Sequence, residues 1–372
     1  MEKNEFIDKL CEGRLTRRDF NTALAATGLA LVSVPLAARA PKAASGDHPV
    51  CYAWAGYEVP EMHKPYFDKY GESPNFALWG DEEEAFAKMR AGFKPDVSMP
   101  CSYKVTQWND AGFLQPIDVG RLSNWKDVLP DLKNVPDTSF DGKQPWVCAW
   151  WGLTSITYRT DLVDIEEESW GLLWDKRYAG RLSMIDSLID GVMVAAIYSG
   201  AKNPFDMTKD EVAVTKKLLE EQRSLLRFYT NDMTTVEQAL ASGELVAATT
   251  WNSSITGLTK QGLPVKFMQP KEGPMTWTCG IALHAGVEGD KMDRAYDLID
   301  AFLAPETGEY WIKEYGMGHS NAKAFERVSS EELTIRGLSD NPGPYIKAGI
   351  FQATIRNEPE LQAMFEEVKA GL

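Results

Sequence analysis

Thr234-Thr-Val-Glu-Gln-Ala-Leu-Ala-Ser-Gly-Glu-Leu-Val-Ala-Ala-Thr-Thr-Trp-Asn-Ser-Ser254 holds a complete helix-to-strand unit. Thr234-x-x-Glu237 has the form of a capping box that opens a short helix, and Gly243 stops it. Glu244 to Thr250 then reads as a strand that delivers Trp251-Asn252-Ser253-Ser254 at its carboxyl end. The same unit recurs. Pro49 to Ala53 reads as a strand ending at Trp54. Asp81 to Ala91 reads as a helix opened by four acids, which suit its positive end, and Gly92 stops it. Asp96 to Met99 follows as a strand ending at Pro100-Cys101-Ser102-Tyr103, and Arg181 to Ile185 is a strand ending at Asp186. Helices are predicted over Val212–Phe228, with Val214, Leu218 and Leu225 on one stripe, and over Lys291–Leu303 and Thr307–Tyr315. A last helix over Arg356–Gly371 carries Leu361, Met364, Phe365 and Val368 at core spacing. Alternating strands and amphipathic helices make an α/β fold. Open α/β sheets bind ligands beyond the carboxyl ends of their strands, and Trp54, Cys101 to Tyr103, Asp186 and Trp251 all stand there.

The whole chain has 372 residues, too long for one compact core and suited to two lobes. Its apolar share of 44% and charged share of 25% describe a globular chain. With 54 acids against 39 bases the net charge is −15, the wrong sign for a nucleic-acid partner. The four histidines, His48, His63, His284 and His319, have no helical ligand spacing, so no metal site is expected, and no cofactor. The 12 tryptophans imply a large aromatic core or an aromatic-lined binding site.

Residues 1–45 read as an address. Thr16-Arg17-Arg18-Asp19-Phe20 precedes a weakly apolar run from Ala23 to Ala38, broken by Gly28 and Pro35, too short to span a membrane. It is similar to a bacterial twin-arginine signal peptide, with cleavage after Ala38-Arg39-Ala40 or near Ser45. Its removal leaves 32 bases against 49 acids, a net −17. Cys11 departs with it, and Cys51, Cys101, Cys148 and Cys279 remain in an oxidising compartment.

Several segments, taken in order, resemble one family. Trp54-Ala-Gly-Tyr57, Asp96-Val-Ser-Met-Pro-Cys-Ser-Tyr103, Ser169-Trp170-x-x-Leu173-Trp174-Asp175 and Tyr178-Ala-Gly-Arg-Leu-Ser183 resemble the spermidine/putrescine-binding proteins of ABC importers. Trp251-Asn252, Pro270-Lys271-Glu272-Gly273, Gly316 to Asn321 and Lys369-Ala-Gly371 continue the likeness over the mature chain. The resemblance implies a two-lobed α/β fold of the type II periplasmic-binding-protein kind, with a ligand cleft at the hinge. Lobe I would take residues 46–152 and 279–323, and lobe II residues 153–278 and 324–372. It further implies a monomer in the periplasm, delivering a small amine to a membrane permease with its ATPase.

Carried over singly, the family's contact positions fall on Trp54, Tyr57, Cys101, Ser102, Tyr103, Asp186, Ser187, Asp190, Trp251, Trp277, Cys279 and Gln352. Aromatic faces and a carboxylate together suit an alkylammonium. Capping also accounts for Asp186 and Asp190. Trp150 and Trp151, beside the expected hinge, belong to either core or cleft. The family's Trp-x-Asp reads Trp277-Thr278-Cys279, so one carboxylate of a two-ended amine site is missing. That keeps open a singly charged or zwitterionic amine, such as a quaternary ammonium osmolyte or an ω-amino acid. Cys101 and Cys279 read most simply as small apolar fillers, with a bridge available if both line one cleft. The acids from Asp81 to Glu84 read as a solvated helix start. G-x-S-x-G, H-E-x-x-H and P-loop motifs are absent, so no enzyme is expected. A remote enzymatic alternative would pair His319 with Cys101 or Cys279.

Overall fold

The computed structural model describes residues 48–80 and 82–371, so the leader expected over 1–45 lies outside them. The described strands are β1 (Val50–Trp54), β2 (Asn75–Trp79), β3 (Val97–Ser98), β4 (Trp146–Arg159), β5 (Leu182–Met184), β6 (Leu226–Tyr229), β7 (Ala247–Trp251), β8 (Val265–Phe267), β9 (Met275–Leu283), β10 (Gly318–His319) and β11 (Ile350–Phe351). They form one sheet in the order β2-β1-β3-β9-β4-β7-β5-β6, with β8 and β10 added to β4 and β11 added to β9. Parallel pairing joins β1 to β2 and β3 on one side, and β5 to β6 and β7 on the other. Between them β4 and β9 run antiparallel to each other.

β4 is the reason one sheet serves two cores. Its sequence, Trp-Val-Cys-Ala-Trp-Trp-Gly-Leu-Thr-Ser-Ile-Thr-Tyr-Arg, is apolar on both faces through most of its length, as a fully covered strand requires. Trp146 to Leu153 pack in a core with β1–β3 and helix Gly289–Phe302. From Ile156 the strand packs instead with β5, helix Met193–Ser199 and helix Glu358–Ala370. The change of core falls at Thr154 and Ser155.

Local signals place the helices. Helix Glu358–Ala370 begins with Pro359 and two acids, buries Leu361, Met364, Phe365 and Val368 as its spacing predicts, and ends on Gly371 in the left-handed conformation. Two helices differ from expectation. The cap of Met233–Ser242 is Asp232, whose carboxylate accepts the N–H groups of Thr234 and Thr235, so Thr234 is not the cap. Helix Lys209–Arg223 starts earlier, at the capping box of Thr208 and Glu211. Val214 is 52% exposed and Leu218 half-buried, while Thr215, Leu219 and Gln222 are buried, and the buried Leu225 lies beyond the helix end. The helix ends at Arg223 because Leu226–Tyr229 extends into β6.

Candidate functional site

The strand register builds the floor of the candidate site. Across β4 and β9 the partners are Trp150 with Cys279, Gly152 with Trp277 and Thr154 with Met275, and across β4 and β7 Thr154 faces Trp251. Side chains alternate along a strand, so Trp150, Gly152, Thr154, Trp251, Trp277 and Cys279 share one face. Trp277 reaches across Gly152, where a Cβ would overlap the indole. Asn252 continues the ladder beyond β7. Its Oδ1 accepts the Leu153 N–H at 3.0 Å and its Nδ2 donates to the Gly316 carbonyl at 2.7 Å. This buried amide fixes the point at which the chain leaves Trp251.

Asp190 sits over this floor, on the single π-helical turn Leu188–Val192. Its Oδ1 accepts Thr154 Oγ1 at 2.8 Å and Gln352 Nε2 at 3.4 Å. Its Oδ2 accepts Ser187 Oγ at 3.0 Å, and the same Ser187 oxygen caps the turn by accepting the Asp190 N–H. The residue is only 5% exposed. Each of these donors is neutral, and no described Lys, Arg or His stands within ion-pair distance of the carboxylate. Burial raises its pKa, although the Thr154 and Ser187 hydrogen bonds pull the other way. Asp186, four residues earlier, does not join it. It is half-buried and neutralised by Lys369, with 2.6 Å between Nζ and Oδ1.

The opposite wall comes from the ends of β1 and β3. Trp54 donates from Nε1 to the Met99 carbonyl at 3.0 Å and lies edge-on to Trp79. Tyr57 is held by rings on three sides, with centroids 4.7 Å away at Trp311, 5.7 Å at Trp150 and 5.8 Å at Tyr315. Trp150 is buried and stacks on Trp311 with 7° between planes, and Trp151 is buried in the same core. Both belong to the core. Ser102 Oγ donates to the Gln352 carbonyl at 3.3 Å, and Gln352 N–H donates to Thr276 O at 2.8 Å. The Tyr103 phenol is hydrogen-bonded to Glu82. Burial, then the charges of Glu82, Asp190 and Glu358, push its pKa far up.

Two expectations are corrected here. Cys101 and Cys279 are joined in a disulfide across an isolated bridge, so they are not separate apolar fillers. Cys51 and Cys148 are buried free thiols, pushed up by burial. The bridge also removes the remote pairing with His319, because neither bridged sulfur can be a thiolate. His319 is itself buried, with Nε2 2.9 Å from the Phe302 carbonyl and Nδ1 accepting the Asn321 N–H. Burial lowers its pKa to about 4. The second correction is Glu82. It is 3% exposed, not solvated, and accepts the Cys101 N–H at 2.7 Å. Its neighbours Glu83 and Glu84 do face outward. The acid run showed that a carboxylate was present, but the phase of a helix start does not disclose which member turns inward.

Trp54, Glu82, Tyr103, Lys104, Ser187 and Ile355 line a cavity of about 190 Å³ between the two cores, together with Glu83, Leu188, Ile189 and Glu358. At its rim Lys104 Nζ lies between Glu83 and Glu358, 3.1 Å from the latter. Larger recesses at Asp164–Arg177, about 390 Å³, and at Met89–Val287, about 340 Å³, lie away from these residues. The first has no aromatic lining, and the one carboxylate of the second, Asp96, is paired with Lys291. The cleft between the cores is therefore the better candidate: aromatic faces, neutral donors and a buried carboxylate converge there. Among the described residues no group of three or more His, Cys, Asp or Glu is placed to hold a metal.

Residues 79–335 match the family profile described as bacterial extracellular solute-binding protein. The chain belongs to that family. Among its curated relatives, the spermidine/putrescine-binding periplasmic protein of Escherichia coli (strain K12) is 24% identical over 326 residues, covering 86% of this chain and 91% of that one. The putrescine/agmatine-binding protein of Pseudomonas aeruginosa is 26% identical over 319 residues, with 79% and 82% covered. Of solved structures, the spermidine/putrescine ABC transporter substrate-binding protein PotD of Streptococcus pneumoniae superposes with a TM-score of 0.73 at 17% identity, covering 87% of this solute-binding protein and 98% of PotD. The Atu4243 GABA receptor superposes at 0.68 with 15% identity, covering 87% and 98%. The fold is thus the two-lobed type II periplasmic-binding-protein fold.

Proposed function

We propose that this solute-binding protein captures a polyamine of the putrescine or spermidine class in the cleft and delivers it to an ABC permease with its ATPase. The observation that carries this reading is Asp190, a buried carboxylate whose described partners are all neutral. An ionised carboxylate in such a place is costly until a cation joins it, and an alkylammonium supplies one. Trp251 and Trp277 share the face on which Thr154 holds Asp190, and Trp54 and Tyr103 line the adjoining cavity. Each close cation–π contact adds about 0.5–2 kcal/mol where water is excluded.

In this reading the two lobes are residues 46–152 with 279–323, and 153–278 with 324–372, and the change of core near Thr154 supports the first crossing between them. Ligand contacting both lobes stabilises the closed form, and the permease reads that form. The protein acts as a monomer in the periplasm, sent there by the twin-arginine leader over 1–45. It is a carrier and not an enzyme: the ligand is released as it was bound.

The aromatic faces are tested by titrating Trp251→Ala and Trp277→Ala with putrescine, following the remaining tryptophan fluorescence. Each variant is expected to bind about 3- to 30-fold more weakly, the cation–π range expressed as affinity. Unchanged affinity in both would overturn the aromatic part of the site.

A second reading rests on a different atom. Trp277 Nε1 is a buried donor with no hydrogen-bond partner among the described residues. A ligand carboxylate would accept from it, and Cys279 offers no repulsion there. That favours an ω-amino acid, with its ammonium on Asp190. Binding of γ-aminobutyrate in preference to putrescine would establish it.

A further inference from the structure

We propose that Glu82 is the second carboxylate of the ligand site and that the Cys101–Cys279 disulfide positions it, so that the cleft selects a cation charged at two separated points. This rests on the reading of the cleft as an amine site.

Complementing the dipole of helix Glu82–Arg90 requires an acid in its first turn, and the exposed Glu83 and Glu84 already serve. It does not require burying Glu82 against a cavity wall. Glu82 is nevertheless turned inward to 3% exposure, lines the same cavity as Trp54 and Ser187, and bonds the Tyr103 phenol. Tyr103 and Ser187 line that cavity with Glu82, and Ser187 Oγ donates to Asp190 Oδ2 at 3.0 Å, so Glu82 and the hydrogen-bond partner of Asp190 border one space. A monoamine can neutralise only one of the two carboxylates. A diamine neutralises both.

The disulfide enters through the backbone. Glu82 Oε1 is anchored by the Cys101 N–H at 2.7 Å. Cys101 is tied covalently to Cys279 on β9, two residues from Trp277 on the same face. One bond therefore fixes the acid from the first wall relative to the indole of the floor. The bridge adds to the β3–β9 pairing and to the Gly280 N–H bond to the Pro100 carbonyl, which bring the loop to β9.

Calorimetric titration of the oxidised protein with putrescine and with butylamine tests this. Wild type should prefer putrescine. Glu82→Gln, which keeps an acceptor for the Cys101 N–H, should lose about 10- to 100-fold in putrescine affinity, the range of one charge-assisted contact, while butylamine changes less than about 3-fold. Glu82→Asp, which keeps the charge, should retain the preference for putrescine and guards against a folding defect in the amide variant. In a Cys101→Ser/Cys279→Ser background putrescine should bind more weakly, and adding Glu82→Gln should lower it by less than in the bridged protein. Equal loss of both ligands in Glu82→Gln, or full putrescine affinity, would overturn the assignment of Glu82. Full additivity with the unbridged pair would overturn the role given to the disulfide. A wild-type protein that binds neither amine would instead overturn the underlying amine reading.

Discussion

Asp190→Asn is expected to lower amine affinity by about two to three orders of magnitude while leaving the ligand-free protein as stable or more stable. Truncating one member of a buried, hydrogen-bonded charge pair costs about 2–5 kcal/mol in binding, because the other charge is left desolvated and unmatched. The same carboxylate is a burden without ligand, since its donors Thr154, Ser187 and Gln352 are all neutral. An amide fits this constellation. Oδ1 still accepts from Thr154 and Gln352, and the new Nδ2 donates to Ser187 Oγ. Calorimetry gives the affinity and thermal melting gives the stability.

The pH dependence has a defined sign. Burial raises the pKa of Asp190 above its unfolded value. Its contribution to the stability of the ligand-free protein is therefore fully present below the ordinary Asp range and is lost as pH rises through the folded value. The melting advantage of Asp190→Asn should thus shrink as pH falls through that interval. Amine affinity of the wild type should fall in the same direction, because protonation removes the partner charge. A variant that binds as wild type, or melts well below it at neutral pH, would show Asp190 to be a structural acid.

Gly152→Ala is expected to weaken amine binding at least about 10-fold and to destabilise the protein by about 1–3 kcal/mol, the range for overpacking a well-filled site. Gly152 lies opposite Trp277 in the β4–β9 register, and the added methyl would occupy the space of the indole. Trp277 must swing off the face or β4 must shift. Near-ultraviolet circular dichroism reports the ring, melting reports the strain and calorimetry reports the ligand. The double variant Gly152→Ala/Trp277→Ala should melt above Gly152→Ala alone, because the methyl then meets no ring. If the single variant binds putrescine as wild type does, Trp277 does not need its seat on Gly152.

Much of this geometry was legible in short range. Apolar runs, the stops at Gly92 and Gly243, and the polar or aromatic residues after each run locate the strand ends. Apolar spacing alone locates the face of helix Glu358–Ala370. What short range cannot show is phase and partner. In helix Lys209–Arg223 the buried face runs through Thr215, Leu219 and Gln222, which leaves Val214 exposed, Leu218 half-buried and Leu225 buried beyond the helix end. Asp186 and Asp190 look equivalent four residues apart, yet Lys369 claims the first from 183 positions away and leaves the second with neutral donors. Glu82 is one of four consecutive acids, and the Cys101 N–H that its carboxylate accepts lies 19 positions away. Each of these facts depends on residues far apart in sequence meeting in the fold, which spacing does not encode.

That the cleft holds a polyamine on buried carboxylates and aromatic faces is tested most directly by calorimetric titration of the oxidised protein. The ligands are putrescine, spermidine, choline, glycine betaine and γ-aminobutyrate. Saturable one-to-one binding of putrescine or spermidine, tighter than that of any singly charged or zwitterionic ligand, is the predicted result. Silence toward both polyamines together with binding of γ-aminobutyrate, choline or glycine betaine would contradict it.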